Sequence, residues 1–307
     1  MYKIGFLLKT CEQDYKYAKR FLESYFKYNV DHIPCFVVAP SIMLKLIEND
    51  FENILNGKVF LVDESQFDEH FVNESIDGLS VGYINQEIVK LAFWEKGFCE
   101  NYMCIDSDAV FIRNFRISDF MYNTDVPYTV LYEDKWLMTD PDYYNSFGKY
   151  RDYYLDKIKK VFELQDKHVK TCHGFQIISS VVMKSMKENY MEPNDMSYSK
   201  MMQIAPYEFS WYNFWLQKDN TIDIVEIDEL FCTFHMYKNL QEAWFSKRSL
   251  EDLARSYIGI VINSNFLSGK MCNYSDYKEQ KIGLRRMLRG LVRLYWGIVK
   301  NKRKRSK

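Results

Sequence analysis

The sequence has few of the features that mark secreted, membrane-spanning or metal-thiolate proteins. No run of about 18 apolar residues occurs, which predicts that no segment spans a membrane. The opening residues, MYKIGFLLKT, have too little charge and too short an apolar stretch for a secretory signal peptide. The seven cysteines are odd in number and form no Cys-x-x-Cys pair, so they indicate reduced thiols in a cytoplasmic protein rather than disulfides or a zinc site.

Internal repeats and low-complexity linkers are also missing, and 307 residues suffice for one large domain. Hydrophobic residues make up 47% of the chain and charged residues 27%, a balance typical of a packed globular core. Aromatic residues are unusually frequent at 17%. They suit stacking on sugars or bases, although a biased genome composition also accounts for them. We therefore expect one elaborated domain rather than two.

The net charge is only −1, but the charged residues are unevenly distributed along the chain. From Asn273 onward there are twelve Lys and Arg residues and only two Asp and Glu residues. There, helical periodicity places one set of basic side chains on a single face: Lys281, Arg285, Arg289, Arg293 and Lys300. A basic amphipathic helix of this kind predicts attachment to an anionic membrane surface, with a helix packed on the domain as the alternative. The rest of the chain is too acidic to indicate nucleic-acid binding.

Strands and helices alternate over the first third of the chain. Apolar runs predict strands at Lys3–Leu8, in IPCFVVAP and at Lys58–Val62, with helical periodicity between them and again before Gly97. Further on, VPYTVLY, GFQIISSVVM, TIDIVEI and SYIGIVI read as strands and PYEFSWYNFWL as a helix. This order predicts an α/β fold with a mostly parallel sheet flanked by helices.

The stretch ENYMCIDSDAVFIRN places two aspartates, Asp106 and Asp108, at the end of a predicted strand. In an extended chain both side chains point to the same side, at the sheet edge where open α/β folds bind ligands. Paired carboxylates suit a hard cation and leave positions for a diphosphate. About 1.6 Asp-x-Asp matches are expected by chance, so a solvated turn is the alternative. The other match, Asp140-Pro-Asp142, follows no strand and is interpreted as a turn.

The sequence YMCIDSDAVFIRNF resembles the Asp-x-Asp region of GT-A fold, nucleotide-sugar-dependent glycosyltransferases. A wider similarity is to a group of bacterial glycosyltransferase-like proteins of largely unassigned substrate, through CEQDYKYAKRFLES, NQEIVKLA and YEFSWYNFW. It covers roughly residues 2–265. The resemblance implies a GT-A-type, Rossmann-like domain over residues 1–272. The charge and periodicity described above predict an amphipathic helix and tail at 273–307. It also implies sugar transfer to a glycan or lipid-linked glycan in lipopolysaccharide or capsule assembly, at the inner face of the cell membrane.

By position, the resemblance implies that Asp108 binds Mn²⁺ or Mg²⁺ directly, while Asp106 assists or holds the ribose of the donor. His235, in CTFHMYKN, is the candidate third metal ligand, and a hydrogen-bonded histidine in an aromatic neighbourhood is the alternative. Thr10 and Asp14 follow the first strand, where such enzymes hold the nucleoside.

Lys90 would contact a phosphate or a sugar hydroxyl, or else it lies on a solvated helix face. Four further residues are candidates for the chemistry of sugar transfer. An inverting enzyme needs a carboxylate base for the acceptor hydroxyl, and Glu208 is the first candidate with Asp134 the second. A retaining enzyme does not need that base, and the sequence leaves the stereochemistry open. His173 and Gly174 would shape an acceptor pocket, or simply form a turn entering a strand.

Two other functions remain open. Haloacid-dehalogenase-type phosphatases also have Asp-x-Asp after an apolar strand, and there Asp106 would be the nucleophile and Asp108 the acid/base. That motif normally opens its fold, whereas here other strands precede it. A non-catalytic, membrane-attached sugar-binding protein would keep the same fold and tail without turnover.

Overall fold

The computed structural model describes residues 1–51 and 58–264 together with Tyr274, Leu291 and Tyr295. The chain divides into two compact units, Met1–Gly269 and Lys270–Lys307. The basic face predicted in the second unit lies outside the described residues. In this unit Leu291 and Tyr295 are helical and exposed.

A five-stranded sheet forms the centre of the first unit, in the order β3-β2-β1-β4-β7. Its strands are β1 (Tyr2–Lys9), β2 (Cys35–Ala39), β3 (Val59–Asp63), β4 (Cys99–Asp106) and β7 (Ile177–Ser179). The first four are parallel, and β7 runs antiparallel to β4. The predicted mostly parallel α/β sheet is therefore confirmed.

Two smaller sheets complete the strands of this unit. One has the order β5-β10-β9, formed by β5 (Ala109–Phe111), β9 (Phe231–Phe234) and β10 (Gly259–Ile262). The other pairs β6 (Tyr128–Val130) with β8 (Val225–Ile227). Because β5 follows β4 after a two-residue turn, the first small sheet adjoins the carboxyl edge of the main one.

The helices cover both faces of the main sheet. They are α1 (Tyr15–Tyr28), α2 (Ser41–Phe51), α3 (Val81–Ala92), α4 (Lys135–Met138), α5 (Pro141–Tyr143), α6 (Lys149–Val161), α7 (Ser180–Met186), α8 (Tyr198–Ile204), α9 (Glu208–Asp219), α10 (Tyr237–Phe245) and α11 (Leu250–Leu253). No helix among the described residues is long and apolar enough to cross a bilayer.

The core lies in two layers, one on each face of the sheet. Alternate residues of β4 face opposite layers, with Tyr102 and Cys104 in one and Met103 and Ile105 in the other. A strand buried on both faces reads as an unbroken apolar run, which is why the sequence predicted it well. The six described cysteines form no disulfide, as expected.

The largest error of the sequence-based prediction lies in GFQIISSVVM. Only Ile177–Ser179 is a strand, and helix α7 begins at Ser180. β-branched residues favoured a strand throughout, but Val182 instead lies on the buried face of a helix that packs on β4 and β7. Tertiary packing overrides local propensity here. Gly97 ends the predicted helical region as expected, in the left-handed conformation with φ 67° that favours glycine.

Candidate functional site

Asp106 and Asp108 lie at the carboxyl edge of the parallel strands, as predicted. Asp106 is the last residue of β4 and is in register with Lys9 at the end of β1. Its side chain is 42% exposed. Asp108, after the turn, accepts a hydrogen bond on Oδ2 from the backbone N–H of Ser264 at 3.0 Å. The two carboxylates are thus anchored differently, one facing solvent and one held by the segment after β10.

Negative charge accumulates at this edge. Burial, reinforced by the charges of Asp106 and Asp14, raises the pKa of Asp108 to about 7. Burial also raises the pKa of Asp14, with Asp106 adding to the effect. Asp106 thus disfavours the charged form of both Asp108 and Asp14, and a cation placed near these carboxylates would be stabilised.

A buried lysine balances part of this charge. The Nζ of Lys90 lies 3.2 Å from Asp106 Oδ1, 3.1 Å from Glu208 Oε1 and 3.2 Å from Glu87 Oε2. We call these four residues the carboxylate–lysine group. Burial disfavours the ammonium, but Asp106, Glu208 and Glu87 outweigh it and raise the pKa of Lys90 well above its usual value. The lysine therefore stays charged and is no solvated side chain.

The two buried glutamates of this group differ in protonation. Burial and the neighbouring Glu208 raise the pKa of Glu87 well above its usual value, so Glu87 is protonated and donates to Glu208. Burial opposes ionisation of Glu208 too, but Lys90 and the hydrogen bonds from Glu87 and Lys90 hold its pKa below the usual range. One proton and one ammonium thus keep two adjacent carboxyl groups compatible with burial.

Helices α3 and α9 deliver these side chains. In α3, Gln86 and Lys90 lie one turn apart on one face, and Gln86 Nε2 donates to Asp106 Oδ1 at 3.4 Å. Helix α9 is buried along its first nine residues. Its Asn213 accepts from Gln176 Nε2 at 2.6 Å, while Gln176 also bonds both backbone groups of Val130. Hydrogen bonds to a buried amide therefore fix α9 against β6 and β7.

Thr10 and Asp14 come after β1, at the sheet edge that also carries the Asp pair. Their implied contact with the nucleoside stays a prediction. Thr10 follows β1 and is 2% exposed, and its Oγ1 has no hydrogen-bond partner in the described structure. An unsatisfied buried hydroxyl is costly, so a ligand that pairs with it would be favoured. Asp14 accepts a hydrogen bond from the Cys11 thiol at 3.6 Å.

A second cluster contains His173, His235, Tyr143 and Asp134, which we call the histidine group. The ring centroids of His173 and His235 are 6.1 Å apart, and Tyr143 lies 5.8 Å from His235. Burial lowers the pKa of His173 to about 3 and that of His235 to about 4. Both imidazoles are therefore neutral, in contrast with the charged lysine of the first group.

His173 presents a donor to this cluster. Its Nδ1 accepts from the backbone N–H of Asp134 at 3.1 Å, which leaves the proton of the neutral ring on Nε2. Nε2 is buried and has no partner in the described structure. A Cβ added at Gly174 would meet nothing within 4 Å, so space is open there and no crowding requires glycine.

Asp134 and the second Asp-x-Asp tripeptide have structural roles in this region. The Oδ1 of Asp134 accepts from the Leu137 N–H at 2.8 Å and so caps α4. Asp140 likewise caps α5, and Asp140 and Asp142 both pair with Lys238. The interpretation of Asp140-Pro-Asp142 as a turn is therefore wrong, because Asp140 is the N-cap of α5 and the helix begins at Pro141.

The candidate ligands for a cation are the carboxylates of Asp106 and Asp108. In the described part of the chain, no three His, Cys, Asp or Glu side chains are placed to hold one metal ion. Asp134 is the carboxylate that acts most strongly on the pKa of His235, and the role of His235 as third metal ligand stays a prediction. Two oxygen-donor carboxylates nevertheless suit Mg²⁺ or Mn²⁺, which also take oxygens from substrate phosphates and water.

Comparison with protein-family models and with curated proteins finds no match. Among solved structures, an active-site mutant of LgtC aligns with a TM-score of 0.52 at 12% identity, covering 90% of this chain and 94% of LgtC. The bifunctional glycosyltransferase WbbM aligns with a TM-score of 0.50 at 11% identity, covering 91% of this chain and 49% of WbbM. The fold is that of GT-A glycosyltransferases. At these identities the likeness concerns the GT-A fold alone.

Sequence reasoning missed two contributors to this candidate site. Glu87 lies beside Gln86 within the quoted helix, but nothing in the pattern shows that it is buried against Glu208. Ser264 holds Asp108 through its backbone N–H, a contact across 156 residues that side-chain chemistry does not reveal. Both depend on long-range packing.

Proposed function

We propose that this protein is a metal-dependent glycosyltransferase that moves a sugar from a nucleotide-sugar donor to a glycan or lipid-linked glycan acceptor. The observation that carries the proposal is the gathering of Asp106, Asp108 and Asp14 at the ligand-binding edge of a GT-A fold, beside the unsatisfied hydroxyl of Thr10. The description of WbbM as a glycosyltransferase supports sugar transfer as the reaction class.

Asp106 and Asp108 would hold Mn²⁺ or Mg²⁺, which, when bound, supplies positive charge for the leaving nucleoside diphosphate. Thr10 and Asp14 would meet the nucleoside. Lys90 touches Asp106 and is enclosed by Glu87 and Glu208, so it fixes the orientation of that carboxylate. Contact of Lys90 with a phosphate or sugar hydroxyl, as first predicted, would require it to leave these partners.

Glu208 is the first candidate for the base that takes the proton of the acceptor hydroxyl. It is ionised, as a base must be, although its lowered pKa makes it a weak one. Asp134 is the second candidate. His173 would donate from Nε2 to an acceptor oxygen, with Gly174 leaving room beside it. This last assignment suits a neutral, hydroxyl-rich ligand better than an anion.

The cellular setting follows from the tail. A basic amphipathic helix at residues 273–307 would attach the enzyme to the inner face of a bacterial cell membrane. A lipid-linked acceptor is presented at that surface. We therefore assign the activity to the assembly of a surface polysaccharide, either lipopolysaccharide or capsule.

The test is nucleotide release from a panel of nucleotide sugars, with and without Mn²⁺ or Mg²⁺. Metal-dependent release of UDP, GDP or CMP is expected, and Asp108→Ala should abolish it. Asp142→Ala, from the other Asp-x-Asp tripeptide, is the matched control and should behave as wild type. Thermal shift with each donor detects binding even without an acceptor. Hydrolysis of a phosphate ester without any nucleotide binding would contradict the proposal and favour the phosphatase alternative.

A further inference from the structure

The two oxygens of the Asp106 carboxylate have different surroundings. Two side-chain donors reach it, and both lie at Oδ1: Lys90 Nζ at 3.2 Å and Gln86 Nε2 at 3.4 Å. Among the described residues, no hydrogen bond or ion pair reaches Oδ2, and the side chain is 42% exposed. The protein therefore holds one edge of the carboxylate and leaves the other open to a ligand.

The hydrogen-bonding capacity of Lys90 is already used within the protein. An ammonium carries three N–H groups, and three carboxyl oxygens lie within 3.2 Å of Nζ: Asp106 Oδ1, Glu208 Oε1 and Glu87 Oε2. The lysine side chain is only 5% exposed. Lys90 thus gives Asp106 a fixed positive neighbour, but a single contact leaves a carboxylate free to pivot about the bonded oxygen.

Gln86 supplies the second contact to that same oxygen. It lies one turn before Lys90 in α3, so the two side chains extend from one face of the helix. Its amide donates from a different position than the ammonium does, and two donors on Oδ1 restrain the rotation of the carboxylate. Because Gln86 is uncharged, it adds this restraint without changing the net charge of the site.

Helix α3 is itself fixed against β4, the strand that ends at the first aspartate of the pair. Tyr102 of β4 donates from its hydroxyl to the backbone carbonyl of Lys90 at 2.9 Å. Asn85, next to Gln86, bonds both backbone groups of Val72 through its side-chain amide. The glutamine is therefore presented from a helix that is anchored on both sides.

Asp108 has the same asymmetry as Asp106. Its Oδ2 accepts from the backbone N–H of Ser264 at 3.0 Å, and no described residue bonds its Oδ1. Each aspartate thus offers one oxygen, Asp106 Oδ2 or Asp108 Oδ1. A pair of single oxygens suits Mg²⁺ or Mn²⁺, since Mg²⁺ sites use one or two carboxylates together with water and phosphate. Ca²⁺ takes about six to eight oxygens and often binds both oxygens of a carboxylate.

We infer that Gln86 is a positioning residue of the proposed cation site. Together with Lys90 it holds Oδ1 of Asp106, so that Asp106 meets the cation through Oδ2 alone. The site then prefers Mn²⁺ or Mg²⁺ to Ca²⁺. The inference rests on the proposed function, since it concerns the same aspartates, and it adds a residue and a cation preference to it.

The test is binding of Mn²⁺ alone to the full chain, measured by electron paramagnetic resonance of the free ion, with Ca²⁺ as the competitor. The variant is Gln86→Leu, which keeps a similar size and helix propensity but lacks the donor. Gln203→Leu, at an exposed glutamine of α8, is the matched control. Asp108→Ala marks the loss of the site, and thermal unfolding checks that every variant is folded.

We expect Gln203→Leu to bind Mn²⁺ as wild type does. Gln86→Leu should bind it about tenfold more weakly, as is usual when a ligating side chain loses its hydrogen-bond partner. Ca²⁺ should compete better in Gln86→Leu than in wild type, because the carboxylate is freer to turn both oxygens towards the ion. A general loss of structure would instead weaken the binding of both ions alike.

Equal Mn²⁺ affinity in Gln86→Leu and wild type, at a site that Asp108→Ala removes, would overturn the inference and leave the transferase proposal intact. An equal loss in Gln203→Leu, or an unchanged ratio of Ca²⁺ to Mn²⁺ affinity in Gln86→Leu, would also overturn it. If wild type bound no Mn²⁺, the inference and the metal dependence of the transferase would both be wrong. Weaker Mn²⁺ binding by Gln86→Leu, in a protein that neither binds nor cleaves a nucleotide sugar, would support the inference and contradict the transferase.

Discussion

The carboxylate–lysine group and the histidine group are both largely buried, but they tolerate burial in opposite ways. Around Lys90, opposite charges lie within 3.2 Å of one another and Glu87 keeps its proton, so ions remain inside the protein. Around His173 and His235, burial removes the charge itself and leaves neutral rings. The first group suits a charged ligand and the second a neutral one.

Because of this difference, mutations in the two groups should change the free energy of unfolding in different ways. In a compensated ionic group, removal of one member leaves the others uncompensated, and the cost is large. In a neutral group, the cost appears only at a pH where the buried group must take or lose a proton. Four substitutions, ordered from the largest expected effect to the smallest, test this contrast.

Lys90→Met should have the largest effect. It leaves Glu208 and Asp106 without their cation, and we expect a loss of about 3–5 kcal/mol in the free energy of unfolding, measured with urea. Lys19→Met, which removes an exposed pair with Asp50, is the control and should change stability little. If both variants lost the same small amount, the group around Lys90 would not be a buried ionic network.

His235→Gln should act through pH. The unfolded chain takes up a proton near pH 6.5, whereas His235 in the folded protein resists it until about pH 4, so wild-type stability falls as pH drops between these values. Between pH 7 and pH 4, we expect the free energy of unfolding of the variant to fall by roughly 2–3 kcal/mol less than that of wild type. His168→Gln, at an exposed loop histidine, should keep the wild-type slope. Parallel slopes in all three proteins would show that His235 is not buried in neutral form.

Glu229→Gln tests the opposite dependence of stability on pH. Burial, together with Asp134 and Asp228, raises the pKa of Glu229 from 4.5 to about 8. The folded protein thus holds a proton that the unfolded chain has lost, and stability falls as pH rises from about 4.5 to 8. At pH 8 the variant should be more stable by about 2 kcal/mol, after discounting partial exposure. A variant that is less stable than wild type at pH 8 would contradict this reasoning.

Asp134→Asn should have the smallest effect. Asparagine caps a helix about as well as aspartate, so we expect stability to stay within about 0.5 kcal/mol of wild type. Nucleotide release should be largely unchanged, because Glu208 is the first candidate base. If release instead fell about a hundredfold or more at unchanged stability, the base would be Asp134.

The residues that sequence reasoning located best are those whose position follows from local periodicity. Asp106 ends a run buried on both faces, and Lys90 lies in a helix whose apolar periodicity is visible in the sequence. The pattern did not show that Lys90 is buried, because any lone lysine resembles a solvated one. The role of His235 was also taken from position alone, and the carboxylate that acts most strongly on its pKa is Asp134.

The sequence by itself determined the alternation of strands and helices, the parallel sheet and the placement of two aspartates at its carboxyl edge. These follow from short-range patterns, since apolar periodicity and strand geometry act over a few residues. Only the tertiary structure decided which buried side chains remain ionised. Lys90 meets Glu208 across 118 residues, and the protonation of both depends on solvent exclusion and on Coulomb interactions between segments that only folding brings together.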